Sequence, residues 1–272
     1  MAAHSVNDIR NVALLGHSSA GKTTLGEAIL LKMGVTTRLG SVDDGSSMLD
    51  HDDEAKDRKH SVDSAVFYVE HNGKLINLID TPGMPDYAGP AIASLAGVDM
   101  AAIVISAASG IGVNTRRMFN AARDYGLPRM IVVTRIDAEN INLDELFNGI
   151  RETFGAECHP INLPANGGKA VVDVLNKADG ATDVMDVGEC HTALIESIVE
   201  MDEALMETYM ESGTAPMAKL EPAIHKAVNS GHVIPVLFVN SVGDAGVSEL
   251  LDALIMFAPS PAQAMKRMLV TG

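Results

Sequence analysis

The sequence predicts an α/β fold: a mainly parallel sheet flanked by helices, interrupted late in the chain by a small inserted α/β subdomain. Three observations predict it. Short apolar runs alternate with helical segments almost from residue 11. Several of these runs, "AAIVISAA" (101–108), "RMIVVTRID" (129–137) and "VIPVLFVNS" (233–241), are β-branched without alternation, as strands buried on both faces are. A hydrophobic content of 47% over 272 residues is ample for a packed core.

Taken in order, "NVALLG" (11–16) reads as the first strand. In "GKTTLGEAILLKMG" Leu25, Ala28, Ile29 and Met33 share one helical face, and Gly34 stands where a C-cap belongs. A polar, acid-rich stretch, "DDGSSMLDHDDEAKDRK", follows and reads as a solvated, mobile loop. "SAVFYVEH" and "KLINLID" are separated by Asn72-Gly73, a dipeptide that favours a hairpin, so these two strands are expected to be antiparallel neighbours. Helices are expected near 114–125 and 143–154, after the strands at 101–108 and 129–137. From about 155 to 232 the pattern changes to a Pro-, Asn- and Gly-rich piece with "KAVVDVL", then two long helical stretches near 190–211 and 216–230. The strand at 233–241 resumes the first pattern, and "VSELLDALIMFA" reads as a last helix. Residues 1–154 and 233–272 are thus one domain and about 155–232 an insertion.

The net charge of −16, with no basic stripe, disfavours general nucleic-acid binding or attachment to a membrane surface. No apolar run approaches the roughly 18 residues that span a bilayer, and the start "MAAHSVNDIRN" has no signal-peptide pattern. A cytoplasmic monomer is expected. Two cysteines, Cys158 and Cys190, cannot build a disulfide framework. Each precedes a histidine, but the spacing matches no common zinc pattern, so both read as ordinary thiols.

"GHSSAGKTT" (16–24) satisfies G-x-x-x-x-G-K-[ST] between a predicted strand and a predicted helix. In a P-loop of this kind the backbone of Gly16, His17, Ser18, Ser19, Ala20, Gly21, Lys22, Thr23 and Thr24 surrounds phosphate oxygens at a helix N-terminus. Lys22 would reach the β and γ phosphates and the Thr23 hydroxyl would ligate Mg²⁺. "LIDTPG" ends a strand in Asp80, Thr81, Pro82 and Gly83. An acid there can hold the same Mg²⁺, and Gly83 can bring a backbone N–H close to the γ phosphate. In "TRID" (134–137) Asp137 can accept paired hydrogen bonds from N1–H and the exocyclic amino group of guanine, which adenine does not offer. Thr134 and the aliphatic stem of Arg135 would lie beside that base. "NSVGDAG" (240–246) adds Ser241 and the Val242 backbone around the guanine oxygen.

These four motifs, in this order, resemble a GTP-binding domain, and more closely that of elongation factor G, the translocase of the ribosome. "RNVALLGHSSAGKTTLGEAIL", "LINLIDTPG" and the ending "LLDALIMFAPSPAQ" carry the resemblance, which covers nearly the whole chain. It implies GTP/GDP and Mg²⁺ as ligands, the ribosome as partner of the full-length protein, and further domains beyond this chain, making it a fragment. It also implies that residues 155–232 correspond to the family's extra subdomain in shortened form.

Several positions depart from the family. Where its switch I ends in Arg-Gly-Ile-Thr, this chain has "RKHSV", so that Ser61 takes the place of the Mg²⁺-binding threonine. Thr134 and Arg135 stand in the usual Asn-Lys-x-Asp motif, and Ser19 replaces a common P-loop acid. Met84 occupies the slot of the histidine that positions or activates the attacking water. A thioether is a weak acceptor with no proton to give or take, so Met84 either withholds that help or packs switch II against an apolar neighbour. Three functions are therefore open: a translational GTPase with slow intrinsic hydrolysis, a GTP-binding switch without useful hydrolysis, and a P-loop ATPase or kinase of another class.

Overall fold

The computed structural model describes residues 4–50, 52–213 and 215–264. Its centre is strand β1 (Ile9–Gly16), whose residues from Val12 to Leu15 are fully enclosed. The chain then forms α1 (Lys22–Lys32), a short α2 (Asp53–Arg58) and the hairpin β2 (Ala65–His71) and β3 (Lys74–Asp80), antiparallel across Asn72-Gly73 as expected. Next come α3 (Ala88–Ser94), β4 (Met100–Ser106), α4 (Val113–Asp124), β5 (Arg129–Thr134) and α5 (Leu143–Phe154).

Strand β1 pairs in parallel with β3 on one side and with β4 on the other. The chain therefore changes direction across the sheet at β1, and the loops leaving the carboxyl ends of β1 and β3 open into one crevice. In open α/β sheets ligands bind at such a switch point.

The segment read as an insertion, about 155–232, contributes both to the main sheet and to the core. β6 (Cys158–Pro160) joins the main sheet, pairing in parallel with β9 (Ile234–Val239), so the sheet runs β2-β3-β1-β4-β5-β9-β6. A separate hairpin of β7 (Asn162–Ala165) and β8 (Ala170–Asp173) follows, then α6 (Val187–Val199), α7 (Glu203–Ser212), α8 (Met217–Ser230) and, after β9, α9 (Val247–Phe257). Leu194, Ile198, Ile224 and Val228 belong to the same continuous hydrophobic core as the main sheet. A three-residue edge strand such as β6 is too short to leave a period-2 signal in the sequence.

The helical stretch near 190–211 is two helices. The Asp202 side chain accepts a hydrogen bond from the Leu205 backbone N–H at 3.0 Å and starts α7 afresh. A periodic pattern runs through such a break, because an N-cap aspartate looks like any other surface acid.

The acidic segment is solvated only in part. Glu27, buried on α1, accepts hydrogen bonds from the Ser47 hydroxyl (2.8 Å) and from the Met48 and Leu49 backbone N–H groups (2.6 and 3.1 Å). Leu49 packs over Gly26, where an added Cβ would lie 2.5 Å from its Cδ1. No helix among the described residues is long and apolar enough to cross a membrane.

His159 on β6 is buried beneath α6, its Nε2 paired with the Ser197 hydroxyl at 3.2 Å. Burial, with Arg151 and His232 nearby, lowers its pKa from 6.5 to about 4. The unfolded chain then takes up a proton that the native state refuses. This contribution is intact above pH 6.5 and is lost as pH falls from 6.5 towards 4, up to about 3 kcal/mol. His159→Phe is expected to flatten the fall in melting temperature across that window, measured by calorimetry at fixed salt. An unchanged pH slope would contradict it.

Candidate nucleotide-binding site

The site is built first from close backbone approaches. At Gly16 the end of β1 lies so near β4 that a Cβ would be 2.4 Å from the Val104 carbonyl oxygen, and φ is +150°. Ser19 (φ +59°) and Gly21 (φ +87°) turn the loop back, and α1 starts at Lys22 with no side chain capping its N-terminus. Unpaired N–H groups at the start of a helix favour an anion.

Lys22 is buried, 6% exposed, with its Nζ donating to the His17 carbonyl oxygen at 2.9 Å. Burial lowers its pKa, while Asp80 and Asp50 act to raise it. Gly83 comes so close that a Cβ would sit 2.5 Å from Lys22 Nζ and 2.6 Å from the His17 carbonyl oxygen. Any other residue at 83 would displace the lysine. Buried Asn114, at the start of α4, ties these parts together by donating to the Gly83 carbonyl at 3.0 Å and to that of Gly16 at 3.4 Å.

Beside the lysine, the Thr23 hydroxyl donates to Asp80 Oδ2 at 2.7 Å and lies 3.2 Å from the Ser61 hydroxyl. Asp80 is 2% exposed, and burial pushes its carboxyl up to about 6 against the pull of Lys22 and Thr23. Its Oδ1 is buried without a hydrogen-bond partner, as is Oδ2 of Asp50. Oxygen donors with spare lone pairs fit a hard divalent cation that takes its remaining ligands from phosphates and water. The three residues expected around Mg²⁺, Thr23, Ser61 and Asp80, are thus neighbours. Asp50 faces the same group of charges, and the sequence reading did not single it out among the surrounding acids.

The P-loop residues Ser18, Ser19, Gly21, Lys22, Thr23 and Thr24 share a cavity of about 500 Å³ with Ser61, Gly83, Thr134, Arg135, Asp137, Ser241 and Val242. Gly16, His17, Ala20, Asp80, Thr81, Pro82 and Met84 do not line it. The Thr81 hydroxyl is spent on the Leu14 carbonyl at 2.7 Å, which fixes the turn rather than a ligand. Met84 is half-buried and lies outside the continuous core. Ser241 Oγ is buried without a partner at the base end.

Thr134 does more than line the cavity. Its hydroxyl donates to the Ala20 carbonyl at 2.7 Å and so ties the base loop to the P-loop. No amide is needed for that link. Arg135 adopts φ +56°, turning the chain towards exposed Asp137.

Asn240, between β9 and Ser241, was missed by sequence reasoning. It accepts from the Gly243 N–H at 2.8 Å and donates to the Gly168 carbonyl at 3.2 Å. Gly168 in turn approaches the base loop, a Cβ there lying 2.7 Å from the Asp137 backbone nitrogen. Asp183 accepts from the Gly167 and Gly168 N–H groups. The β7–β8 hairpin therefore braces the base loop. Only Gly167-Gly168 signalled this in the sequence, and a double glycine reads as any turn.

A P-loop at the switch point of a mainly parallel sheet, with a lysine, a hydroxyl and an acid around it, defines a P-loop nucleotide-binding protein. The family model described as "Elongation factor Tu GTP binding domain" matches residues 7–260. The chain belongs to that family. It is 34% identical over 276 aligned residues to an "Elongation factor G-like protein" of Mycobacterium tuberculosis strain CDC 1551, and equally to that of strain H37Rv. Each alignment covers 96% of this chain and 38% of the relative. A crystal structure of a Thermus thermophilus protein superposes with a TM-score of 0.85 at 34% identity, over 94% of this chain and 41% of that one. The chain thus spans about two fifths of the length of the relatives it matches, and it is similar to elongation factor G-like proteins over almost its full length.

Thr134→Val keeps the shape of the side chain and leaves the Ala20 carbonyl without this donor, at a cost of roughly 1–3 kcal/mol. The variant is expected to melt lower and to release bound nucleotide faster, while Thr134→Ser stays near wild type. Equal melting of all three proteins would show that the link carries no weight.

Proposed function

We propose that this domain binds GTP and GDP with Mg²⁺ and hydrolyses GTP to GDP and phosphate as a conformational switch. The observation that carries the reading is the buried Lys22 ammonium, set against Gly83 at one end of a cavity whose other end holds Asp137. Lys22 and the open N-terminus of α1 would hold the β and γ phosphates, and the Gly83 N–H would meet the γ phosphate. Thr23, Ser61 and Asp80 would hold Mg²⁺, with Asp50 behind them. The ion neutralises charge that develops on the phosphate oxygens. Asp137 would read the guanine edge, with the Arg135 stem beside it and Ser241 and Val242 near the base oxygen.

The name of the mycobacterial relatives supports a role in translation, with the ribosome as partner and the cytoplasm as location. The domain itself is taken as a monomer, with residues about 155–232 as an elaboration of the GTP-binding unit. A GTP-binding switch without useful hydrolysis is the second reading, favoured by Met84 at the family's histidine position.

Calorimetry with GTP, GDP and ATP, with and without Mg²⁺, tests the first part. Guanine nucleotides are expected to bind and ATP not to. Lys22→Ala is expected to weaken guanine-nucleotide binding by several kcal/mol, since contacts to a charged group are the strong ones. Unchanged GDP affinity in that variant, or a preference for ATP, would remove the assignment.

A further inference from the structure

If the domain hydrolyses GTP, as proposed above, a group must orient the attacking water, and Met84 cannot. Its thioether is a weak acceptor, and Met84 does not line the nucleotide cavity although Gly83 beside it does. A histidine does line that cavity, from the other switch segment. His60 stands next to Ser61 and borders the same space as Lys22, Thr23 and Gly83.

Two contacts fix its ring. His60 Nδ1 lies 2.9 Å from the Arg58 carbonyl oxygen, an acceptor only, so Nδ1 carries the proton and donates. In the neutral ring with that tautomer, Nε2 is the nitrogen able to accept. The ring also meets Tyr87, two residues beyond Pro85, with centroids 6.2 Å apart and planes tilted by 44°. That contact places the histidine against the turn that follows Gly83. Ser61, the next residue, is anchored on Thr23 at 3.2 Å and keeps the peptide before it at the phosphate end of the cavity.

We infer that His60 orients the attacking water and takes over the role that Met84 leaves vacant. Nε2 accepts a hydrogen bond from the water, whose oxygen attacks the γ phosphorus. The bond between that phosphorus and the β–γ bridging oxygen breaks, the electron pair leaves with GDP, and the water's protons end on phosphate and solvent. His60 aligns the nucleophile and need keep no proton. Orientation of this kind supplies a substantial part of phosphoryl-transfer catalysis, as the water-positioning glutamine of other GTPases shows.

The test compares wild type, His60→Phe, His60→Gln and His60→Phe/Met84→His. Phenylalanine keeps a ring against Tyr87 but has no nitrogen, and glutamine keeps an acceptor. Three readouts are taken: single-turnover GTP hydrolysis, with and without ribosomes; affinity for a non-hydrolysable GTP analogue; and affinity for GDP with aluminium fluoride, a mimic of the transferring phosphoryl group. His60→Phe is expected to lose about 10²-fold in hydrolysis and a comparable factor for GDP–aluminium fluoride, with analogue affinity within about twofold. His60→Gln should keep part of the rate, and Met84→His should restore part of it to the phenylalanine variant. Hydrolysis unchanged in His60→Phe, or a loss matched by equal loss of analogue affinity, overturns the inference. So does a wild-type protein that binds GTP and hydrolyses none. A wild-type protein that binds no guanine nucleotide overturns the proposed function first, and this inference with it.

Discussion

The whole site depends on one costly arrangement: an ammonium group buried at the mouth of the P-loop with a carbonyl oxygen as its hydrogen-bond partner. A buried charge needs compensation, and Lys22 has it only from carboxylates at longer range, which are themselves buried. Asp80 shows the same tension, since burial favours its neutral form and leaves one oxygen unsatisfied. Under the proposed function a polyphosphate with its cation would answer both charges at once. The glycines at 16 and 83 are the places where the backbone comes close enough to hold this arrangement.

That arrangement is possible because the sheet brings every necessary loop to one edge. β1 sits between β3 and β4, so the P-loop and the turn after Asp80 leave adjacent strands in the same direction. β5 and β9, paired in parallel, deliver Thr134 and Asn240 to the same end. Residues after β6 do not form a detached unit. They complete the core through α6 and α8, and they prop the base loop through the Gly167-Gly168 turn. The hairpin packs behind the loop that carries Asp137 and braces it.

How much of this could be read in the sequence follows from the range of the interactions. Strands buried on both faces, the Asn72-Gly73 turn and the P-loop are local patterns, and each appears where expected within a few residues. The grouping of Thr23 with Asp80 was legible because the P-loop and the strand-end acid each carry a motif. Glu27, Asp50 and Asn240 were not legible. Their roles come from contacts between distant parts of the chain, and an acid on a helix or in an acidic loop carries no mark of the carbonyls and amides it will meet. Thr134 was read as lying beside the base, at a position where the family has an amide. The structure shows its hydroxyl donating to the Ala20 carbonyl, so its side chain ties the base loop to the P-loop.

The acidic segment also takes on a different meaning once its two anchors are seen. One end is held on α1 by Glu27 and by Leu49 over Gly26, within the helix body. The other end is held by Ser61 on Thr23, in the first turn of the same helix. The first anchor is a buried set of hydrogen bonds and apolar contacts with no ligand in it. The second consists of hydroxyls that a cation would draw apart from one another and around itself. Under the proposed function a change in nucleotide would act on the second anchor and leave the first untouched. His60 lies beside that second anchor and touches Tyr87 in the turn after Gly83. The segment that ends at Ser61 and the turn after Gly83 are therefore in direct contact, through residues absent from the motifs that identify the family.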